Sequence, residues 1–297
     1  EGNSKYEYLL PYITLDKNLL TDEKYGFLDL NSKLRIRNYD VNNQTEFLVN
    51  DFNWKSNKSL SSLGFESQFE GLLKTVNYKA SNTTEFKNER EISELSGVLG
   101  YLAKIGFYKK NQEKSINHFL TPKLLIKYAP GHMRDVGSGA GRLRYSNLYD
   151  INKMSEIDVV ENGVSASLGF DYKKNKLNKE GNIGEEIFSF SAGQVVKPEE
   201  NMDIPSQSSL DQKMSDIVGE SVIKINDTLK FDYTFAIDQS YKEFNSNEAG
   251  AEIDIGKTSF NVSYLQEKNH IGNKEFIESG VNFELNESNE LAFSTKR

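Results

Sequence analysis

The 297-residue chain contains no cysteine. Disulfides, thiolate nucleophiles and thiolate metal sites are therefore excluded. No run approaches the roughly 18 apolar residues that a spanning helix needs, which excludes a helical membrane protein and leaves a β-barrel open. Basic charge is also scarce: 36 Lys and Arg face 44 Asp and Glu, a formal net charge of −8. No basic field offsets phosphate repulsion, so nucleic acid is not an expected partner. Three histidines, His118, His132 and His270, lie far apart, and no His-with-carboxylate cluster is visible. No metal or other cofactor is expected, and each histidine reads as a surface or girdle residue.

Apolar residues are few for a globular chain, 37% with a mean hydropathy of −0.62, where soluble domains come nearer half. Aromatics are plentiful, with 15 Tyr and 18 Phe, which argues against disorder. A membrane β-barrel reconciles the two numbers, because it shows apolar side chains to lipid at alternate positions and polar ones to its interior.

Period-two alternation is the dominant pattern. Leu229, Phe231, Tyr233, Phe235 and Ile237 alternate with Lys230, Asp232, Thr234, Ala236 and Asp238, which places one set on each face of a strand. Val164 to Tyr172, Phe260 to Tyr264 and Val281 to Leu285 repeat it; Leu30 to Ile36 is weaker. About fourteen such runs, most near the ten-residue length of a tilted membrane strand, centre on Ile13, Leu30, Val49, Glu70, Leu102, Leu125, Ala166, Phe190, Val222, Tyr233, Glu252, Val262, Asn282 and Phe293. The five prolines are few enough for so many strands; Pro11, Pro122 and Pro130 lie at strand ends or in strands, where each deletes a ladder donor. The expected fold is all-β: an antiparallel transmembrane β-barrel, incomplete, of about fourteen strands from a larger barrel, with 1–297 as one domain.

Connection lengths alternate. Asn226–Thr228, Gly256–Lys257 and Glu287–Asn289 are tight turns, and longer polar links lie around Tyr241–Asn247 and Gln266–Asn273. Bacterial barrels sort periplasmic turns from external loops in this way. Extending the parity backwards makes Lys197–Ser215 and Gly131–Val160 external, and these are the longest non-strand stretches. Tyr128, Tyr172, Tyr233 and Tyr264 lie toward run ends or flanks, as aromatic girdles require. The start, Glu1 to Lys5, lacks an initiator Met and a signal-like apolar segment, and both ends look cut.

Few motifs suggest chemistry. Gly137-Ser138-Gly139-Ala140-Gly141-Arg142 has no strand before it, no helix after it and no Lys-Ser/Thr pair, so it reads as an external loop rather than a phosphate cradle. Glu185-Glu186 and Glu199-Glu200 read as solvated charge, and no nucleophile elbow occurs. Arg142, Arg144 and Lys153 with Tyr145 and Tyr149 form a small basic-aromatic group. Such a group can meet anionic lipid phosphate, but a loop packed over the barrel mouth is the better reading. No catalytic residue is assigned.

Four pieces between Phe119 and Gly219 resemble the LptD family, also called organic-solvent-tolerance proteins. Phe119-Leu120-Thr121-Pro122 leads to Tyr128-Ala129-Pro130. The stretch from Asn147, Leu148 and Tyr149 through Asn152, Lys153, Asp158 and Glu161 to Gly163 follows the family's loop segment. Gly193-Gln194 ends a strand, and Ser215-Asp216-Ile217-Val218-Gly219 opens the next. Glu156 stands where the family usually has Gly, Val159 where it usually has Arg, and Lys153 replaces another Arg. A loop salt bridge typical of the family is therefore missing or rebuilt.

The resemblance implies transport rather than catalysis: a bacterial outer-membrane translocon that inserts lipopolysaccharide into the outer leaflet. It implies an LptE-like lipoprotein plug, lipopolysaccharide, outer-membrane lipid and, through an N-terminal domain not seen in this sequence, the periplasmic Lpt bridge proteins as partners. This chain would be wall rather than gate. The competing readings are another outer-membrane barrel, a porin or an autotransporter translocator, and a soluble extracellular β-adhesin. Open sheet edges in lipid leave backbone groups unpaired, so the piece alone is not expected to be a stable membrane protein.

Overall fold

The computed structural model describes residues 7–39, 42–88, 90–111, 115–136, 141–178, 181–286 and 289–297. All strands belong to one antiparallel sheet of sixteen. In chain order they are β1 (Tyr8–Asp22), β2 (Gly26–Tyr39), β3 (Asn43–Lys55), β4 (Ser59–Leu60), β5 (Phe65–Ser81), β6 (Glu91–Ile105), β7 (Phe107–Asn111), β8 (Ile116–Ala129), β9 (Gly163–Leu177), β10 (Ile183–Val196), β11 (Ile217–Lys224), β12 (Leu229–Ile237), β13 (Phe244–Ile255), β14 (Thr258–Glu267), β15 (Lys274–Asn286) and β16 (Asn289–Lys296). Fourteen form an up-and-down meander; β4 and β7 are short pieces that pair with β5 and β8. Every one of the expected strand centres falls in the meander. β4 and β7 are the strands that alternation did not show, being too short for a period to register.

The sheet is open, because β1 and β16 form its two edges and do not pair with each other. It is nonetheless sheared like a barrel wall. Lys55, the last residue of β3, pairs with Glu70, Glu70 with Gly100, and Gly100 with Lys127 near the far end of β8. A hydrogen-bonded row thus climbs from the foot of one strand to the head of another in three steps. This is the stagger that strand tilt in a barrel requires.

Two prolines sit where the ladder is already broken. Pro11 lies in the register shift between Leu9 and Tyr12 on edge strand β1. Pro122 falls in the gap on β8 between its pairing with β7, which ends at Leu120, and its pairing with β6, which begins at Lys123. A residue without an N–H costs least at such places.

Connections sort by end. Residues 23–25, 178–182, 225–228 and 256–257 separate strands at one end; 82–90, 130–162, 197–216, 238–243 and 268–273 do so at the other, where 40–42 is a short exception. Nine residues, 56–64, also join strands at the short-turn end, where they carry β4. The longer links are tighter than their polarity suggested. Phe244–Asn247 belongs to β13 and Gln266–Glu267 to β14, because ladder bonds continue through polar residues when backbone partners face them. Glu287 and Ser288 of the expected turn Glu287–Asn289, and the glycines Gly137 and Gly139, lie outside the described residues, while Asn289 opens β16.

The two faces differ as alternation requires. On one face Phe231, Tyr233 and Phe235 of β12 stand beside Ile223 of β11 and Ile253 of β13, followed by Phe260 and Val262 of β14 and Val281 and Phe283 of β15. Leu99 and Phe293 on this face are more than 60% exposed, as expected of side chains whose solvent is lipid. The opposite, concave face carries Lys230, Asp232, Glu248, Glu252, Asn261, Ser263, Glu278 and Asn282. The tyrosine girdle is less regular than expected. Tyr172, Tyr233 and Tyr264 share one hydrogen-bonded row through Phe190, Ser221 and Ala249. Tyr233 therefore sits in mid-strand, placed by register rather than by strand end.

Candidate functional site: loops locked into the concave face

The described residues of the long link 130–162 fold back onto the inner face of the sheet. Leu143, Tyr145, Leu148, Met154 and Val159 bury their side chains against Val195 of β10, Val218 of β11, Ala236 of β12 and Ile271. Ile204 and Leu210 from the 197–216 link join the same cluster. A second patch sets Ile151 and Val160 against Leu72, Val98 and Ala129. These apolar loop residues are irregularly spaced, so periodicity could not assign them to a core.

Glycines give the loop its seat. A Cβ on Gly193 would lie 2.4 Å from Leu148 Cδ2 and 2.6 Å from the Leu168 carbonyl oxygen. One on Gly169, across the strand pair, would lie 2.6 Å from the Tyr149 hydroxyl. The bare backbone at these two neighbours lets the 3₁₀ turn Tyr145–Asn147 and the two residues after it lie directly on the sheet. Asn147 shapes the turn, its Oδ1 accepting from Arg144 N at 2.8 Å and its Nδ2 donating to Arg142 O at 3.2 Å. Tyr145 donates its hydroxyl to the Asp171 carboxylate, which also holds Lys123 and accepts from Ser191 Oγ at 2.9 Å. Burial, followed by this contact with Asp171, pushes the Tyr145 phenol up.

The centre of the lock is ionic. Glu161 is fully buried, with Lys127 Nζ of β8 at 2.5 Å and Lys197 Nζ at 2.9 Å. Lys127 also donates to the Glu161 carbonyl oxygen at 3.1 Å, and Lys197 to Leu210 O at 2.6 Å. Lys153, also buried, donates to Asp150 O at 3.0 Å. One carboxylate thus ties β8, the 130–162 link and the 197–216 link together. Burial raises the Glu161 pKa, but the charges of Lys127, Lys153 and Lys197 outweigh it and hold the group well below the usual carboxylate range. Burial lowers the Lys153 pKa, and Glu161 offsets part of that. Asn152 braces the carboxylate from behind: its Oδ1 accepts from Glu161 N at 3.1 Å and its Nδ2 donates to Val159 O at 3.0 Å.

The three departures find places in this arrangement. Val159 packs in the apolar cluster. Lys153 supplies one of the three buried amines. Glu156 is half-buried, its carboxyl raised by burial and by Asp158. Asp158 itself pairs with Arg134 Nη2 at 2.5 Å, and the Arg134 guanidinium lies 4.4 Å from the Phe86 ring centroid. Arg142 pairs with Glu267 and lies 3.8 Å from Glu248, while Arg144 contacts Glu248 at 3.1 Å. Of the basic-aromatic group, the two arginines are therefore satisfied by carboxylates of β13 and β14, Lys153 donates to Asp150 O, and Tyr145 donates to Asp171 of β9. Of the other residues singled out from sequence, Pro130 follows the end of β8 and Gly163, at φ +91°, opens β9. Gln194 Nε2 donates to Ser215 O at 2.7 Å. Gly219 lies on the outer face under the Phe235 ring, where a Cβ would come within 2.3 Å.

A second anchor forms at Asp216. Asn245 Nδ2 donates to its Oδ2 at 3.0 Å, His270 Nε2 lies 3.1 Å away, and its backbone N donates to Ser209 Oγ at 2.5 Å. Asp216, Asp238 and His270 have ligand-type atoms within 4.8 Å of one another. The fold thus makes a His-carboxylate cluster where the linear sequence shows none. Its groups are already engaged in tying the 268–273 and 197–216 links to β11, and the hydrogen bond that His270 donates to Asp216 raises the His270 pKa. Nearer the short-turn end the concave face leaves a cavity of about 860 Å³ among Asp16, Asp29, Asp51, Glu70, Lys74 and Asp150.

A meandering, sheared sheet with a lipid-type outer face, a polar concave face and loops folded inward is the wall of an outer-membrane β-barrel. The family model described as LPS transport system D, LptD, matches residues 5–288. The chain belongs to the LptD family, whose business is the transport and assembly of lipopolysaccharide at the outer membrane. No curated protein matches it in sequence.

Proposed function

We propose that this chain is a stretch of wall in the translocon that inserts lipopolysaccharide into the outer leaflet of the outer membrane, with residues 1–297 as one barrel domain. The observation that carries the reading is the apolar outer face joined to a concave face capped by its own ion-locked loops. A barrel whose mouth is closed by packed loops is a poor conduit for free solutes, which speaks against a porin. An apolar face open to its surroundings speaks against a soluble adhesin, which would bury that face between two sheets. The acidic cavity beneath the locked loop is open space on the concave face, where an LptE-like lipoprotein fits. Periplasmic Lpt bridge proteins would engage through a separate domain. The wall itself does no covalent chemistry.

The test is depletion of the full-length protein followed by labelling of surface lipopolysaccharide with an external reagent. The expected result is loss of newly labelled lipopolysaccharide while other barrels still assemble. Unchanged labelling would refute the reading in favour of a porin or an autotransporter translocator.

A further inference from the structure

Charges are rare on the outward face, and one group of them stands together. In register across the short-turn ends of β7, β8 and β9, Lys109 pairs with His118 and His118 with Lys174. Lys176 lies one outward position further along β9. These positions share the face of Leu168 and Val164, which are exposed, whereas Ser165 and Ser167 on the other face are buried. Partners in register lie about 5 Å apart, so the three side chains of the row stand within roughly 10 Å. The aromatic belt adjoins them. Phe107, Leu120, Tyr172 and Phe190 make up the next outward row, and His118 Nδ1 is 2.8 Å from the Tyr172 hydroxyl.

Among the described residues none of the three lysines has a carboxylate partner within ion-pair distance. Glu185 and Glu186 of β10 are engaged instead by Lys224 and Lys173. At the long-loop end the outward charges are of mostly opposite sign: Glu46, Glu91 and Glu275, with Lys79 alone basic. In a chain of net charge −8, three lysines with no ion-pair partner among the described residues stand next to an aromatic belt at one membrane boundary, where an external anion can complement them.

We propose that Lys109, Lys174 and Lys176, around the His118–Tyr172 pair, bind the headgroup phosphate of anionic phospholipids in the leaflet at the short-turn end. The lysine stems lie along the apolar wall while their amines reach the phosphate plane, and each such lysine strengthens attraction to an anionic surface by roughly fivefold. Tyr172 and Phe188, whose ring centroids are 6.0 Å apart, sit at the depth of the glycerol backbone. The patch holds a ring of anionic lipid against β7–β9 and so fixes the wall's height in the bilayer. This rests on the outer-membrane reading above.

The test uses full-length protein in phosphatidylcholine vesicles. Trp54 is the only tryptophan in the sequence shown, so W54F combined with L120W puts a single reporter of this stretch beside the patch. Brominated phosphatidylglycerol and brominated phosphatidylcholine serve as quenchers at equal mole fraction. Phosphatidylglycerol is expected to quench at least about fivefold more effectively at low salt, the preference falling as salt shortens the screening length. K109Q/K174Q/K176Q is expected to abolish the preference, and the triple Lys→Arg variant to keep it. Equal quenching by the two lipids would overturn the proposal, as would a preference that survives the triple Gln variant. Absence of quenching by either lipid would mean that this face does not meet the bilayer, overturning the wall reading as well.

Discussion

Glu161→Gln tests the lock directly. The substitution keeps the volume of a fully buried side chain but removes the one negative charge among Lys127, Lys153 and Lys197. Removing one member of a buried ion pair typically costs about 3–5 kcal/mol, mostly because the remaining charge is left uncompensated. Here three amines lose their counter-ion, and the cost is met by local release of the 130–162 link, by deprotonation of a lysine, or by both. Burial already lowers the Lys153 pKa, so loss of its proton is one way to relieve the excess positive charge. If release dominates, the open fraction of the loop rises by roughly two to three and a half orders of magnitude, since about 1.4 kcal/mol is a factor of ten. Trypsin reports this through Arg134, Arg142 and Arg144, with cleavage tracking the open population while opening is fast relative to cutting. Acid should not mimic the substitution. A carboxylate whose folded pKa is depressed contributes stability that is present above its unfolded value, near 4.3, and is lost only as pH falls through the lower folded value. The wild-type loop should therefore stay closed at pH 4, read there by hydrogen exchange because trypsin is inactive at that pH. Apolar replacement of the whole cluster, Lys127→Met, Lys153→Met and Lys197→Met with Glu161→Leu, should restore much of the resistance. Unchanged cleavage of the Gln variant would refute the claim that this ion cluster holds the loop.

Three other outcomes follow from the geometry. Val262→Lys places an amine on the lipid face and should cost about 2–4 kcal/mol of folding free energy in bilayers if it lies near the midplane; Ser263→Lys, one residue on and opposite Glu278, should be close to neutral, and equal effects would refute the assignment of faces. Gly193→Ala drives a methyl into Leu148 and the Leu168 carbonyl, so it should cost about 1–3 kcal/mol and expose the Arg142–Arg144 stretch to protease. Loop 268–273 should be held most firmly at mildly acidic pH, because a histidine with a raised pKa contributes stability below its unfolded value that is lost as pH rises through the folded one. Asp216→Asn should return the His270 titration, followed by NMR, toward the ordinary range; an unmoved midpoint would show that Asp216 is not the cause of the shift.

The sheet was largely legible because a strand advertises itself locally. Phe231, Tyr233 and Phe235 against Asp232 and Thr234 announce a two-sided ribbon whatever lies beside it. The alternation of short and long connections then ordered the ribbons into a meander. Strand ends were less legible. Phe244–Asn247 looked like loop because polarity was the signal, whereas the ladder depends on backbone partners in β12 and β14. Tyr233 looked like a girdle residue for a similar reason, since its depth depends on the register of five neighbouring strands.

The site was less legible than the sheet. Leu148, Met154 and Val159 are apolar residues in an aperiodic segment, and nothing local says which surface buries them. Glu161 and Lys127 are 34 residues apart, and Lys197 is a further 36 from Glu161; only the stagger of β8 to β10 brings them to one point. Gly193 reads in sequence as a weak strand residue, and its purpose is the absent Cβ beneath Leu148. Asp216 and His270 are separated by 54 residues and meet only because β11 and the 268–273 link close over the same edge of the loop cluster. What the sequence determined by itself was the alternation of faces, and with it the all-β class and the membrane-facing wall, because period-two geometry acts between adjacent residues. The tertiary structure alone decided the curvature, the inward fold of the long loops and the pairing of their charges, because those depend on which distant strands are hydrogen-bonded and how far each is sheared against the next.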